Sequence, residues 1–191
     1  MHTITFPRIT ITNRDVFNIQ FLYKVMHHWL LENGYMDDRG EETHETMEKL
    51  YLENRYAGEK EFRWWWRTEK KLNSYIRWRL DVDTRIIKAK DVELVQEGRK
   101  MNYQHSETFV YLSGFVDFDY HSQWERHPVL KFFEKYFRTR ILKQETEQQR
   151  AEFEKELYRF EGMIKAYFQQ RTFLPEEEEL FHEKFESLNP Y

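Results

Sequence analysis

Residues 62–67 read Phe-Arg-Trp-Trp-Trp-Arg and hold three of the chain's six tryptophans. In an extended segment successive side chains point to opposite faces. Phe62, Trp64 and Trp66 then share one face, and Arg63, Trp65 and Arg67 share the other. The apolar face continues a core stripe. The second face sets an indole between two guanidinium groups, and a neighbouring segment adds Tyr75, Arg77 and Arg79. Rings that stack on bases and guanidinium groups that meet phosphate are the parts of a single-stranded nucleic-acid platform. Those six residues (Arg63, Trp65, Arg67, Tyr75, Arg77, Arg79) are the candidate nucleic-acid contacts. The plainer reading is that Arg63 and Arg67 lie over Trp65 while Asp81 and Asp83 neutralise arginines across the sheet.

For metals, Asp117, Asp119 and His121 recur at spacing two, and three O/N ligands at a strand end could hold a divalent ion, with His127 close in sequence. The same residues also read as a strand leaving the core toward water. His28 and Glu32, one helical turn apart, and Glu41, His44 and Glu48 form common surface pairs. They lack the second helix of matching ligands that a di-iron bundle needs. No cofactor is expected. The absence of Cys removes disulfides, thiol catalysis and thiolate metal sites. No G-x-S-x-G occurs, and six scattered Gly leave no room for a phosphate-binding glycine loop. The chain carries no catalytic signature, which points to a binding role instead of an enzymatic one.

Glu59-Lys60-Glu61-Phe62-Arg63 resembles the Glu-x-Glu-x-Lys signature of the triphosphate-tunnel enzymes, with Arg in place of Lys and the element in mid-chain. That resemblance implies a metal-dependent phosphate-processing site in a charged β-tunnel, with Arg77, Arg79, Asp81, Asp83, Lys88, Lys90 and Glu93 on wet strand faces. It stands as an alternative to the binding reading.

The chain has 191 residues, long enough for a real core, and 18% aromatic content. Net charge is −4, unevenly placed. Between Lys60 and Lys90 ten Lys/Arg face four acids, a local +6, so the remainder carries −10. No apolar run approaches the roughly 20 residues that span a bilayer, and the N-terminus lacks a secretory layout. The expected setting is cytoplasmic, with no membrane contact.

These residues need a scaffold. Thr3–Thr12 alternates as a strand, with Pro7 at a bend or edge. Asn13 offers a helix cap, and an apolar stripe (Phe17, Phe21, Val25 and His28, thickened by Leu22, Met26, Trp29 and Leu30) runs to an Asn33-Gly34 stop. A second helix is expected over 42–56. Residues 62–67 and 75–87 alternate as strands, 91–95 as a continuation or new strand, 99–106 as a loop or weak strand, and 108–120 as a long strand. Gly114 there signals a bulge or close approach. Three helices follow. The first is capped by Ser122–Glu125, and the last opens near Pro175. Between them a long one over 145–170 places Phe153, Leu157, Phe160, Ile164 and Tyr167 on one seam. The sum is a single α+β domain, 1–191: strand and two helices (1–58), an antiparallel meander (59–121), and a helical segment (122–191). One twisted antiparallel sheet of about four to five strands has helices packed on one face. The expected partner is nucleic acid or a ribonucleoprotein. The alternative partner is another protein, including a second copy through the long helix.

Overall fold

The computed structural model describes residues 2–37, 47–56, 58–96, 99–122 and 143–171. Seven strands form one antiparallel sheet: β1 (His2–Thr5), β2 (Ile9–Phe17), β3 (Met36–Asp37), β4 (Glu48–Tyr56), β5 (Glu59–Lys71), β6 (Ile76–Gln96) and β7 (Arg99–Phe118). Two helices are described, α1 (Ile19–Glu32) and α2 (Lys143–Arg171). The centre of the sheet is β7-β6-β5. β1 and β2 share the outer edge of β7, and β3 and β4 share the outer edge of β5. Among the described residues those two edges do not pair with each other, so the sheet is open.

The N-terminal alternation is interrupted where Pro7 stands, giving two short strands on one partner: Ile4 opposes Val116 and Ile11 opposes Val110. β2 then runs to Phe17, so the helix starts later than Asn13 implies. Asn13 is paired with Thr108 inside the ladder. The cap is Asn18, whose Oδ1 accepts from the Phe21 N–H at 3.0 Å. Both residues are Asn, and nine paired strand positions decide between them. At the other end Gly34 takes φ +77°, and its N–H donates to the Leu31 carbonyl, as a Gly after Asn33 allows. The buried stripe of α1 is Ile19, Leu22, Val25, Met26 and Leu30, while Phe21 and His28 lie at its margin.

The helix expected over 42–56 is overturned for its described part. Glu48–Tyr56 is a strand on the edge of β5, with Tyr51 opposite Trp64 and Leu50 opposite Trp65. Met47, Leu50, Tyr51 and Asn54 mimic a helical repeat, but pairing to the tryptophan strand outweighs that local pattern. Residues 99–106 are likewise strand, held by β6 along their length. Of the helix expected to be capped by Ser122–Glu125 only Ser122 is described, with φ +53°, and the remainder of it and the last helix near Pro175 fall outside the described residues. The described helices are thus one near the N-terminus and one long C-terminal helix.

The core lies between one sheet face and the helices. Trp64, Trp66, Trp78, Leu80, Val82, Val110, Leu112 and Val116 line the sheet side. The α2 seam, Phe153, Leu157, Phe160, Ile164 and Tyr167, is buried with them. Phe153 packs on Trp78 and Phe6, with centroids at 5.3 and 5.0 Å, and Phe160 packs on Trp29 at 4.6 Å. Each such ring contributes about 1.5–3 kcal/mol by leaving water. The seam therefore serves the chain's own sheet. Tyr167 Oη donates to the Asn18 carbonyl at 2.9 Å and ties α2 to the start of α1. Lys70 Nζ meets Glu156 Oε1 at 3.0 Å and sits 5.1 Å from the Trp78 ring centroid, a second tie between sheet and helix. No described helix is long and apolar enough to cross a membrane.

Candidate functional site

The sheet face opposite the helices carries the alternate residues of the same strands. Register sets its rows. Arg63 opposes Arg85, Trp65 opposes Asp83, and Arg67 opposes Asp81 on β6. Across β6, Arg85 meets Phe109, Asp83 meets Tyr111, and Asp81 meets Ser113. The tryptophan triplet divides as its alternation requires. Trp64 and Trp66 have no exposure, while Trp65 keeps 44% of its surface open.

Trp65 borders a shallow depression of about 360 Å³ lined by Arg8, Arg63, Arg67, Asp83, Arg85 and Tyr111 among others. Its charges are partly compensated. Asp83 takes Arg67 Nη1 on Oδ1 at 2.7 Å and Arg8 Nη2 on Oδ2 at 3.2 Å. Arg67 Nε also lies 3.5 Å from Asp81. Burial pushes the Asp81 carboxyl above its ordinary value, against the pull of Arg67 and Arg79. One oxygen of Glu61 receives Arg63 Nη2 at 2.7 Å, Arg63 Nε at 2.9 Å and Arg85 Nε at 3.1 Å. Those bonds, chiefly from Arg63, hold the Glu61 carboxyl below its ordinary value. Four arginines (8, 63, 67, 85) thus face three carboxylates (Glu61, Asp81, Asp83). The surplus cation belongs to the Arg63–Arg85 pair, which shares a single carboxylate. Arg8 lies over Tyr111, its Cζ 4.3 Å from the ring centroid.

Tyr75, Arg77 and Arg79 are not beside Trp65. Arg77 opposes Lys71, and Arg79 opposes Glu69, so they form a second cluster further along β6. Six residues separate Arg79 from Arg85, about 20 Å at roughly 3.4 Å per residue. Strand pairing joins the two sequence segments with an offset that periodicity does not reveal. Tyr75 stands just before β6, at the turn, with its ring against Phe118. At this second cluster Asp117 is fully buried and holds both arginines. Arg79 Nε donates at 2.6 Å, Arg77 Nη2 at 2.9 Å and Thr3 Oγ1 at 2.7 Å. Burial alone raises the Asp117 carboxyl, but the bonds from Arg79, Thr3 and Arg77 outweigh it and hold the group below its ordinary value. Arg77 also reaches Glu69 at 2.8 Å. Arg79 Cζ lies 4.7 Å from the Phe115 centroid and Arg77 Cζ 5.0 Å from the Tyr120 centroid.

The candidate metal set is not brought together. Asp117 belongs to the arginines. The strand ends at Phe118, and Asp119 has φ +51°, so the alternation that aligns Asp117, Asp119 and His121 stops there. Among the described residues no three His, Asp or Glu side chains come together as a set able to hold a metal ion. His28 meets its neighbour Glu32 at 3.0 Å on the helix. Glu48 Oε2 accepts from Tyr23 Oη at 2.8 Å and from Trp66 Nε1 at 3.4 Å. Glu41 and His44 lie outside the described residues. Asp81 and Asp83, the carboxylates a phosphate-processing site needs free, are engaged by arginine on an open sheet.

Sequence reasoning missed Arg8, Arg85 and Tyr111 as neighbours of Trp65. The alternation Phe109, Tyr111, Ser113, Phe115 against Val110, Leu112, Gly114, Val116 was visible, and it puts rings on the open face. Arg8 is placed only by long-range pairing of β2 with β7.

Fold and face together define a class: an α+β domain whose single antiparallel sheet has one face packed under helices and the other presenting rings and arginines. No protein-family model, curated protein or solved structure matches this chain.

Proposed function

We propose that this chain is a non-catalytic binding module that holds single-stranded nucleic acid, free or within a ribonucleoprotein, on the open face of its sheet. The observation that carries the reading is Trp65, 44% exposed on a strand paired along both edges and set among arginines. An indole so placed offers a base a stacking surface without prior rearrangement. The Arg63–Arg85 pair beside it shares one carboxylate and so retains charge for a phosphate.

Trp65→Ala tests the reading. Base–aromatic stacking is worth about 1–3 kcal/mol, so the variant binds an oligothymidylate about five- to 150-fold more weakly by fluorescence anisotropy. Two phosphate contacts give a slope of about −1.4 in log affinity against log salt. Binding of equal strength in Trp65→Ala, or binding indifferent to salt, removes the reading.

One observation favours a protein partner as the second reading. Edge strand β4 exposes Tyr51, Leu52 and Tyr56, while the α2 seam is already covered. A protein contact, including a second copy, is then sought at β4. It predicts a mass that rises with concentration and falls back in Leu52→Lys.

A further inference from the structure

The open face carries a second station, built like the first but locked more firmly. At three places an arginine lies over a ring: Arg8 over Tyr111, Arg79 over Phe115 and Arg77 over Tyr120, with Cζ-to-centroid distances of 4.3, 4.7 and 5.0 Å. A guanidinium with one face on a ring presents its other face to a flat partner, and nucleic-acid bases stack on such planes as they do on aromatic rings. Asp117 fixes two of these arginines from below, bonding both Arg77 and Arg79 while having no exposure of its own. A buried carboxylate that sets the angle of two partly exposed cations removes the rotamer freedom a loose arginine would lose on binding. The charge balance supports an anion here too. Lys71, Arg77 and Arg79 share Glu69 and Asp117, three cations on two carboxylates.

The stations follow one path that first crosses the strands and then turns to run along them. Trp65 and Tyr111 are in one row on either side of Asp83, two strand spacings or about 10 Å apart. Tyr111 and Phe115 stand on the same face of β7, four residues or about 14 Å apart. Arg77 is two residues beyond Arg79 on β6, about 7 Å further. We infer that the binding surface is a track of about 30 Å, from Trp65 past Arg8–Tyr111 to Arg79–Phe115 and Arg77–Tyr120, which takes a single strand of about four nucleotides. Asp117 acts as a positioning residue for its far end. This inference rests on the nucleic-acid reading above and adds to it a length, a path and a second subsite.

Oligothymidylates of two, four, six and eight nucleotides, titrated onto the full chain by fluorescence anisotropy at fixed salt, test it. Affinity should climb from two to about four nucleotides and flatten thereafter. Phe115→Leu, which keeps apolar bulk under Arg79 but removes the ring, should cancel most of that climb while leaving the dinucleotide affinity unchanged. Unchanged dinucleotide affinity also shows that the variant is folded at Trp65. Tyr120→Leu, at the end of the track, should act in the same direction and serves if Phe115→Leu is unstable. The track is overturned if a dinucleotide binds as tightly as an octanucleotide, which leaves only the Trp65 station. It is equally overturned if both variants keep the full length dependence. If no oligothymidylate binds at any length, the nucleic-acid reading itself falls and the track with it.

Discussion

Gly114→Ala is the most direct test of how the long helix sits on the sheet. A Cβ at position 114 would lie 2.5 Å from Phe153 Cε1, 2.9 Å from Phe153 Cζ and 3.4 Å from Leu157 Cδ2. Carbon atoms prefer about 3.5–4.0 Å, so Phe153 must move, and it is fully buried between Trp78 and Phe6. Overpacking of this kind costs about 1–3 kcal/mol. Replacing Gly by Ala within a strand recovers about 0.5–1 kcal/mol of chain entropy. At 2.5 Å from a fully buried ring the cost falls in the upper part of that range, about 2–3 kcal/mol, so against a recovery of about 1 kcal/mol the net expectation is a loss of about 1–2 kcal/mol. For a chain of this size each kcal/mol lowers Tm by about 2–4 °C, so the variant melts about 2–8 °C lower. Urea unfolding should show a lower midpoint with an unchanged slope. Adding Phe153→Leu makes room, so the double variant should lose less than the sum of the single losses, with a coupling near 1 kcal/mol. A Gly114→Ala protein as stable as its parent, or strictly additive effects, would refute the close approach of α2 to β7.

Acid should loosen the second arginine cluster. The Asp117 carboxyl is held below its ordinary value of 3.8, so its contribution to stability is complete above about pH 4 and is lost as pH falls through the folded-state value. Asp117→Asn should flatten that part of the stability–pH curve. It should also cost about 3 kcal/mol at neutral pH, the low end for a broken buried pair because the arginines reach solvent. A variant whose acid limb matches the parent's contradicts the assignment. Tyr167→Phe removes the hydrogen bond to the Asn18 carbonyl and should cost about 1 kcal/mol in urea unfolding. No loss there would mean the tie between the helices carries no weight.

Much of the fold could be read from side-chain periodicity where one face is wet and the other dry. Ile76–Val82 and Phe62–Trp66 alternate cleanly, and their inward residues are core. The Phe153–Tyr167 seam follows from its four-three spacing. That rule has no grip where both faces are mixed. Glu48–Tyr56 has polar residues on both sides and becomes a strand only because β5 offers it an edge. Arg99–Ser106 is polar too and is held by β6. The candidate site was half legible for the same reason. Trp65 turns outward by local geometry alone, but its companions are set by register. Register placed Arg85 and Tyr111 around it, with Arg8 beside them, and moved Arg79 about 14 Å and Arg77 about 20 Å along the sheet.

The two longest strands, β6 and β7, follow each other directly in the chain, and their ladder begins with Gln96 opposite Arg99. β1 and β2 join the same sheet from far upstream, His2 meeting Phe118. Closing a short loop costs far less entropy than closing one of more than a hundred residues. The hairpin can therefore zip from its tip and offer a template before either margin arrives. The N-terminal strands and the residues between them, which bring Thr3 and Arg8 to the open face, are therefore the pieces joined to the sheet across the longest stretch of chain.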